Sequence, residues 1–352
     1  MDKNPFSLYD FLGYVMPGAF ALIIACITLP ESILSIDCSI LELFDVKNII
    51  LLVIVSYILG HFIAFVSSIT IEKFSIWSYE YPSKYLMDKF PPTINYFGIR
   101  KLIITKQNKN NKDEDLIWIQ KDINKKEDGF KENTSEISKI SRYDSIVLSI
   151  CKYFLFFLLL PISSLSLLFG EVIKINRTVL KPLDSFLKEC IKMKTEVLLD
   201  RLCLNEIHNK DISDKKSSSE KDNLRIIYHY QYERQTKQAR KMDNYIALYG
   251  FLRSLTFIFV VEFDYLFIEA IVTIFKAFSK DYFYPDWKLI IVLIVIACTA
   301  YIFYLAFLKF YRRYSLECFM ALVTDETLVK KTCSNTNCTY NNFNYYNSSS
   351  QS

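Results

Sequence analysis

The chain has 352 residues, 51% hydrophobic and 23% charged, with 42 basic against 38 acidic side chains and a formal net charge of +4. The two signs are interleaved, which argues against a nucleic-acid partner, and only 7 glycines and 9 prolines favour long helices over a turn-rich β fold. Nine cysteines, odd in number and partly inside apolar runs (Cys26, Cys151, Cys298), argue against a disulfide framework, and the spacing of Cys203, His208, Cys333 and Cys338 fits no zinc site.

The apolar residues gather into runs separated by polar stretches, the pattern of a multi-span membrane protein. The first run, Phe11 to Leu29, is long enough to cross a hydrocarbon core. A signal peptide is the alternative, since Ile23, Ile24, Ala25 and Cys26 resemble a lipoprotein processing box. Against cleavage, the leader MDKNPFSLYD has one lysine and two aspartates, and apolar residues continue past Cys26. A retained helix kinked at Pro17 is expected.

The second run, Ile49 to Ile71, carries Ser56, Gly60, Ala64 and Ser68 at steps of four. Such a stripe predicts a helix-packing seam, because close backbone approach is what lets helices pair in lipid. His61 beside it is expected to point near the seam as a neutral, hydrogen-bonded imidazole, with a proton or ligand site as the functional alternative.

Residues 72–144 form a polar region with the insert KQNKNNKDED and two short β-like patches, Leu102 to Thr105 and Leu116 to Ile119. The third run, Ile146 to Phe169, has Lys152 near its start and Pro161 near its middle. Beyond it, Leu183, Phe186, Leu187, Cys190, Ile191 and Leu198 recur at helical spacing, predicting an amphipathic helix on a membrane surface or on the soluble part. A charged linker and the helix-like segment RIIYHYQYERQTKQARKMDN follow.

The fourth run, Tyr245 to about Phe275, contains Arg253, Glu262, Asp264 and Glu269, and the fifth runs from Leu289 to Leu308. The Asn-, Ser- and Tyr-rich C-terminal residues read as disordered.

Short loops set orientation through lysine and arginine. Residues 30–48 hold Lys47 alone against Glu31, Asp37, Glu42 and Asp45, which places that loop outside. Arg234, Lys237, Arg240 and Lys241 before the fourth run, and Arg312 and Arg313 after the fifth, belong inside. The polar regions on either side of the third run then share the cytoplasmic side, so that run predicts a re-entrant or interfacial hairpin broken at Pro161.

The expected fold is an all-α integral membrane protein with four transmembrane helices plus one re-entrant or interfacial helical hairpin, a cytoplasmic helical part and partly disordered inserts; five spans is the alternative. Its expected parts are 1–71, two spans; 72–144, cytoplasmic with a disordered insert; 145–244, the membrane-associated segment with amphipathic helices; 245–309, two spans; and 310–352, a cytoplasmic helix and tail.

The segments SLYDFLGYVMPG, YILGHFIAFVSSITIEK and YIALYGFLRSLTF resemble a poorly characterised group of bacterial multi-pass membrane proteins. The residues that carry the resemblance are Tyr9, Asp10, Gly13, Tyr14, Pro17 and Gly18; Gly60, His61, Ser67, Ser68 and Glu72; and Tyr249, Gly250, Phe251 and Arg253. The three segments together make up about an eighth of the chain. The resemblance implies a bacterial inner-membrane protein, of a kind that sometimes accompanies phage-defence or toxin-like systems.

Three function classes follow. A non-enzymatic membrane module would self-associate through the small-residue stripe, with membrane lipid, a second copy and a cytoplasmic protein as partners. A channel or transporter would rest on Glu262, Asp264 and Glu269, which with His61 and Arg253 make a possible intramembrane polar site, although these acids are expected rather to sit solvated at the outer interface. An enzyme is disfavoured, because no G-x-S-x-G, H-E-x-x-H or phosphate loop is present, and no cofactor or metal is expected.

Overall fold

A computed structural model describes residues 10–28, 46–87, 135–173, 179–204, 223–234, 236–278 and 287–328. Every regular element among them is helical. The β-like patches, the loop between the first two runs up to residue 45, most of both charged inserts and the C-terminal tail lie outside the described residues.

Helix α1 (Met16–Thr28) follows a π-helical stretch, Phe11–Val15. Helix α2 (Val46–Ser67) passes through a second π stretch, Ser68–Glu72, into α3 (Lys73–Tyr79). Glu80, at φ 67°, turns the chain, and Pro82, whose missing N–H costs nothing in a first turn, opens α4 (Pro82–Met87). Then come α5 (Ser135–Leu158), α6 (Leu160–Leu165) with a π stretch Ser166–Val172, α7 (Ser185–Arg201), α8 (Leu224–Arg234), α9 (Thr236–Phe278) and α10 (Trp287–Val323).

Three described helices are long and apolar enough to cross a membrane: Phe11–Thr28, Ile49–Met87 and Trp287–Val323. A fourth candidate is the bent pair Val147–Leu158 and Leu160–Gly170, whose arms meet at 88°. The all-helical fold with several candidate spans expected from hydropathy is therefore present among the described residues. It departs from the expected four plain spans at the fourth run: that run lies within the 43-residue α9, which interrupts its apolar residues with Arg253, Glu262, Asp264 and Glu269 and is not among the three.

The bend in the third run falls at Leu159 (φ −102°, ψ 34°), two residues before Pro161, which stands in the first turn of the second arm. Proline cannot donate into the helix ladder and its ring crowds the preceding turn. Ser163 compensates by donating from Oγ to the Phe156 carbonyl at 3.0 Å, a group that the interrupted ladder would otherwise strand.

The chain divides into two compact units, Met1–Pro182 with Arg240–Ser315, and Leu183–Ala239 with Leu316–Ser352. In the first, helix directions follow from which residues meet. Tyr14, early in the first helical segment, lies against His61, late in α2, so the two run antiparallel. Phe259 stacks on Phe303 at 5.4 Å and Tyr249 tilts against Tyr311 at 5.1 Å, so α9 and α10 are antiparallel as well. Ile63, Leu255 and Ile258 form a buried core flanked by Ala21, Ile24, Leu59, Phe251 and Phe303, which binds α9 into the apolar bundle. One end of that bundle continues into an aromatic core that includes Phe74, Tyr79, Tyr304 and Phe307, each at most 3% exposed.

The second unit has its own core, built from Ile191, Leu198 and Leu199 of α7, Ile227 of α8, and Cys318, Phe319 and Leu322 of α10. Asp184 caps α7 by accepting from the Leu187 amide at 2.7 Å, satisfying one of the donors that a helix start leaves open. Of the apolar residues that predicted amphipathicity here, Leu183, Ile191 and Leu198 are buried, whereas Phe186 is 78% exposed.

Candidate functional site in the helical bundle

Small residues first decide how closely α1 and α2 approach. A Cβ on Gly18 would overlap the Ser56 carbonyl oxygen, and one on Gly60 would overlap that of Tyr14. The backbones are thus in van der Waals contact, the arrangement that compensates for the missing hydrophobic drive between helices in lipid. Ser56 and Gly60, from the expected stripe, are buried in this crossing within the chain; Ala64 and Ser68 are half-buried, and the Ser68 hydroxyl donates to the Phe65 carbonyl at 2.7 Å.

The close crossing sets an aromatic group. His61 stacks on Tyr14 with ring centroids 3.7 Å apart and 19° between planes, and meets Tyr57 edge to face at 4.5 Å. His61 is nevertheless exposed, as are Ile58, Phe62 and Phe65 on the same stretch of α2.

One turn further along α2, Arg253 of α9 enters. Its guanidinium pairs with Glu72, donates from Nε to Ser67 Oγ at 3.2 Å, and from Nη2 to the Ala64 carbonyl at 3.3 Å. The Arg253 and Glu72 side chains are 13% and 22% exposed, so the pair is largely shielded from solvent or lipid. Ser67 and Glu72 are five residues apart, about 140° around a regular α-helix at 3.6 residues per turn. The intervening π stretch, with its i→i+5 bonding, winds more slowly and brings both toward one guanidinium.

Farther along α9, Glu262 is 8% exposed and accepts from Thr28 Oγ1 at 3.4 Å, while its other carboxylate oxygen has no partner among the described residues. Asp264 is half-buried and Glu269 exposed. The three acids therefore occupy three environments, and Glu262 alone is buried.

The second unit holds a separate polar cluster. Asp325, 5% exposed, accepts at Oδ1 from the Thr327 hydroxyl at 2.7 Å and from the Thr327 amide at 2.9 Å, and at Oδ2 from Gln231 Nε2 at 3.3 Å. Burial pushes its carboxyl up, but the Thr327 bonds, Gln231 and the nearby Arg234 charge outweigh that and hold it below the usual range. Lys194 donates to the Asp325 carbonyl at 2.6 Å; burial lowers its ammonium, opposed in part by Asp325, Cys190 and Glu326.

Comparison with protein-family models, curated proteins and solved structures produced no match. Among the described residues no group of three or more His, Cys, Asp or Glu side chains is placed to hold a metal ion; His208, Cys333 and Cys338 lie outside them.

Of the residues expected as an intramembrane polar site, Arg253 and Glu262 have partners across helices and His61 is ring-stacked. Glu72, Ser67, Tyr14 and Thr28 complete those contacts without having been expected as site residues. The first three stand in the segments that carry the resemblance, the one signal that could have singled them out. Those three distant segments meet in the bundle: YDFLGY supplies Tyr14, the GH-to-Glu segment supplies His61, Ser67 and Glu72, and YGFLR supplies Arg253.

Proposed function

We propose that the chain is a non-enzymatic, multi-pass protein of the bacterial inner membrane, a self-associating module whose cytoplasmic part senses a partner. In this reading α9 is a fourth span, the bent α5–α6 pair is a hairpin entering from the cytoplasm, and both termini are cytoplasmic. The sequence resemblance supports a place beside phage-defence or toxin-like systems.

The observation that carries self-association is the exposure of His61. An ionisable side chain near the middle of a span is costly against lipid, and it lies on an outward face with Ile58, Phe62 and Phe65. A second copy laid on that face removes the imidazole from lipid. The seam first expected for this purpose is already filled by the chain's own first helix through Gly18. Mass photometry of the full chain in lipid nanodiscs tests the reading. An oligomer that dissociates at least tenfold more readily in the triple variant His61→Ala, Phe62→Ala, Phe65→Ala is expected; a wild-type monomer at all concentrations would end it.

A second reading, ion or proton conduction, rests on Glu262, a buried carboxylate with one oxygen unpartnered among the described residues. Flux in liposomes that disappears in Glu262→Gln supports it. Flux that ignores this substitution, or no flux, removes it.

A further inference from the structure

Two arginines of the second unit converge on one hydroxyl. Arg201, in the last turn of α7, donates from Nη1 to Thr327 Oγ1 at 3.2 Å, and Arg234, in the last turn of α8, donates from Nη1 to the same atom at 3.0 Å. The Thr327 hydroxyl gives its own proton to Asp325, which leaves both its lone pairs to the two guanidiniums. Arg201 also donates to the Tyr230 hydroxyl at 3.1 Å, and Arg234 lies over the Tyr230 ring at 5.0 Å. Tyr230 therefore orients both cations.

Arg201, Arg234 and Thr327 are all exposed, and among the described residues neither guanidinium has a carboxylate within ion-pair distance. Each cation does complement the carbonyl end of its helix, a static role that explains one arginine per helix end. It does not explain why two like charges from different helices are brought to a single neutral oxygen. Asp325 attracts Arg234, but among the described residues it is not within ion-pair distance of either guanidinium, and its oxygens already accept from Thr327 and Gln231. The repulsion between the two cations is therefore offset only in part, and an anion of two or more oxygens between them would offset the rest. Gln231 is fully buried and, among the described residues, its amide oxygen has no partner, while its amide nitrogen is committed to Asp325. Gln231 thus holds Asp325, Asp325 holds Thr327, and the bonds of both arginines run from Nη1, so that among the described residues their Nε and Nη2 groups make no hydrogen bond.

We propose that Arg201, Arg234 and Thr327 form a binding site for a phosphomonoester, either a free phosphate-bearing small molecule or the headgroup of an anionic lipid. A phosphate offers the bidentate oxygen edges that a guanidinium fork matches, and Thr327, held by Asp325, spaces the two guanidiniums that would take it. The proposal deepens the sensing role above, on which its biological meaning rests, but the binding itself does not depend on self-association.

The test uses the full chain in phosphatidylcholine nanodiscs, with thermal unfolding followed as inorganic phosphate is added, and in matched discs containing phosphatidic acid. Saturable stabilisation is expected in one or both arms: by phosphate alone for a soluble ligand, or by phosphatidic acid alone for a headgroup. Affinity should fall at least tenfold in Arg201→Gln/Arg234→Gln. Arg201→Lys/Arg234→Lys keeps both charges and guards against misfolding of the first variant; it should weaken binding about tenfold by losing the fork. Stabilisation by neither probe, or binding unchanged in both variants, would overturn the proposal. Because the readout is ligand binding, a monomeric protein that still binds phosphate would sink the self-association reading and leave this one standing.

Discussion

Arg253 and Glu72 stand 181 residues apart in the chain and form an ion pair that joins α9 to the end of α2's π stretch. Ser67 and the Ala64 carbonyl take further guanidinium donors, so the charge is anchored by three groups from one helix. Removing either partner leaves a charge in a shielded place. Breaking a buried pair costs roughly 3–5 kcal/mol, and the partial exposure here reduces that to about 2–3 kcal/mol. Arg253→Gln and Glu72→Gln should each destabilise the bundle by this amount, and the double variant by less than the sum. A double-mutant cycle on unfolding in nanodiscs measures the difference; strict additivity would contradict the pairing.

The α1–α2 crossing predicts that Gly18→Ala and Gly60→Ala are both harmful, because the added carbon meets backbone that cannot rotate away. Overpacking of this kind costs on the order of 1–3 kcal/mol. Gly250→Ala is the control, since a Cβ there meets nothing within 4 Å. Removing glycine from the middle of α9 should, if anything, stabilise it by up to about 1 kcal/mol. Thermal unfolding of the three variants should therefore separate into two losses and one neutral or positive change.

Ser163 holds the carbonyl that the Leu159 break exposes. Ser163→Ala should lower stability by roughly 1–2 kcal/mol, the cost of an unmet, partly buried acceptor, without affecting the α1–α2 contact. Hydrogen exchange confined to residues 155–166 would be the expected signature, and unchanged exchange there would count against the serine's role.

Asp325 predicts an acid limit for the second unit. Its carboxyl is held below the ordinary carboxylate range, so the folded state binds its proton less readily than the unfolded chain does. The stabilisation is fully present above the ordinary aspartate value of about 3.9 and is lost as pH falls through the lowered folded value. The stability gap between wild type and Asp325→Asn should be flat near neutrality and close on acidification. A gap independent of pH would mean that the carboxylate charge contributes nothing.

Orientation can be read from native thiols. Cys203 is exposed in the second unit and Cys318 is buried. With that unit in the cytoplasm, a membrane-impermeant maleimide should leave Cys203 unlabelled in intact cells and label it after permeabilisation. Labelling in intact cells would reverse the proposed topology.

Hydropathy alone located the candidate spans, because a helix satisfies its own backbone hydrogen bonds and its apolar length is a local property. The α1, α2 and α10 segments and the break near Pro161 were legible for that reason. So was the small-residue stripe, but its partner was not: periodicity marks a face and is silent about what covers it. Only the tertiary structure put Gly18 rather than a second copy against Gly60, Glu72 beside Arg253, and Arg201 with Arg234 on Thr327. Those pairings join residues far apart in sequence, and their free energy comes from geometry that exists only once the helices have packed.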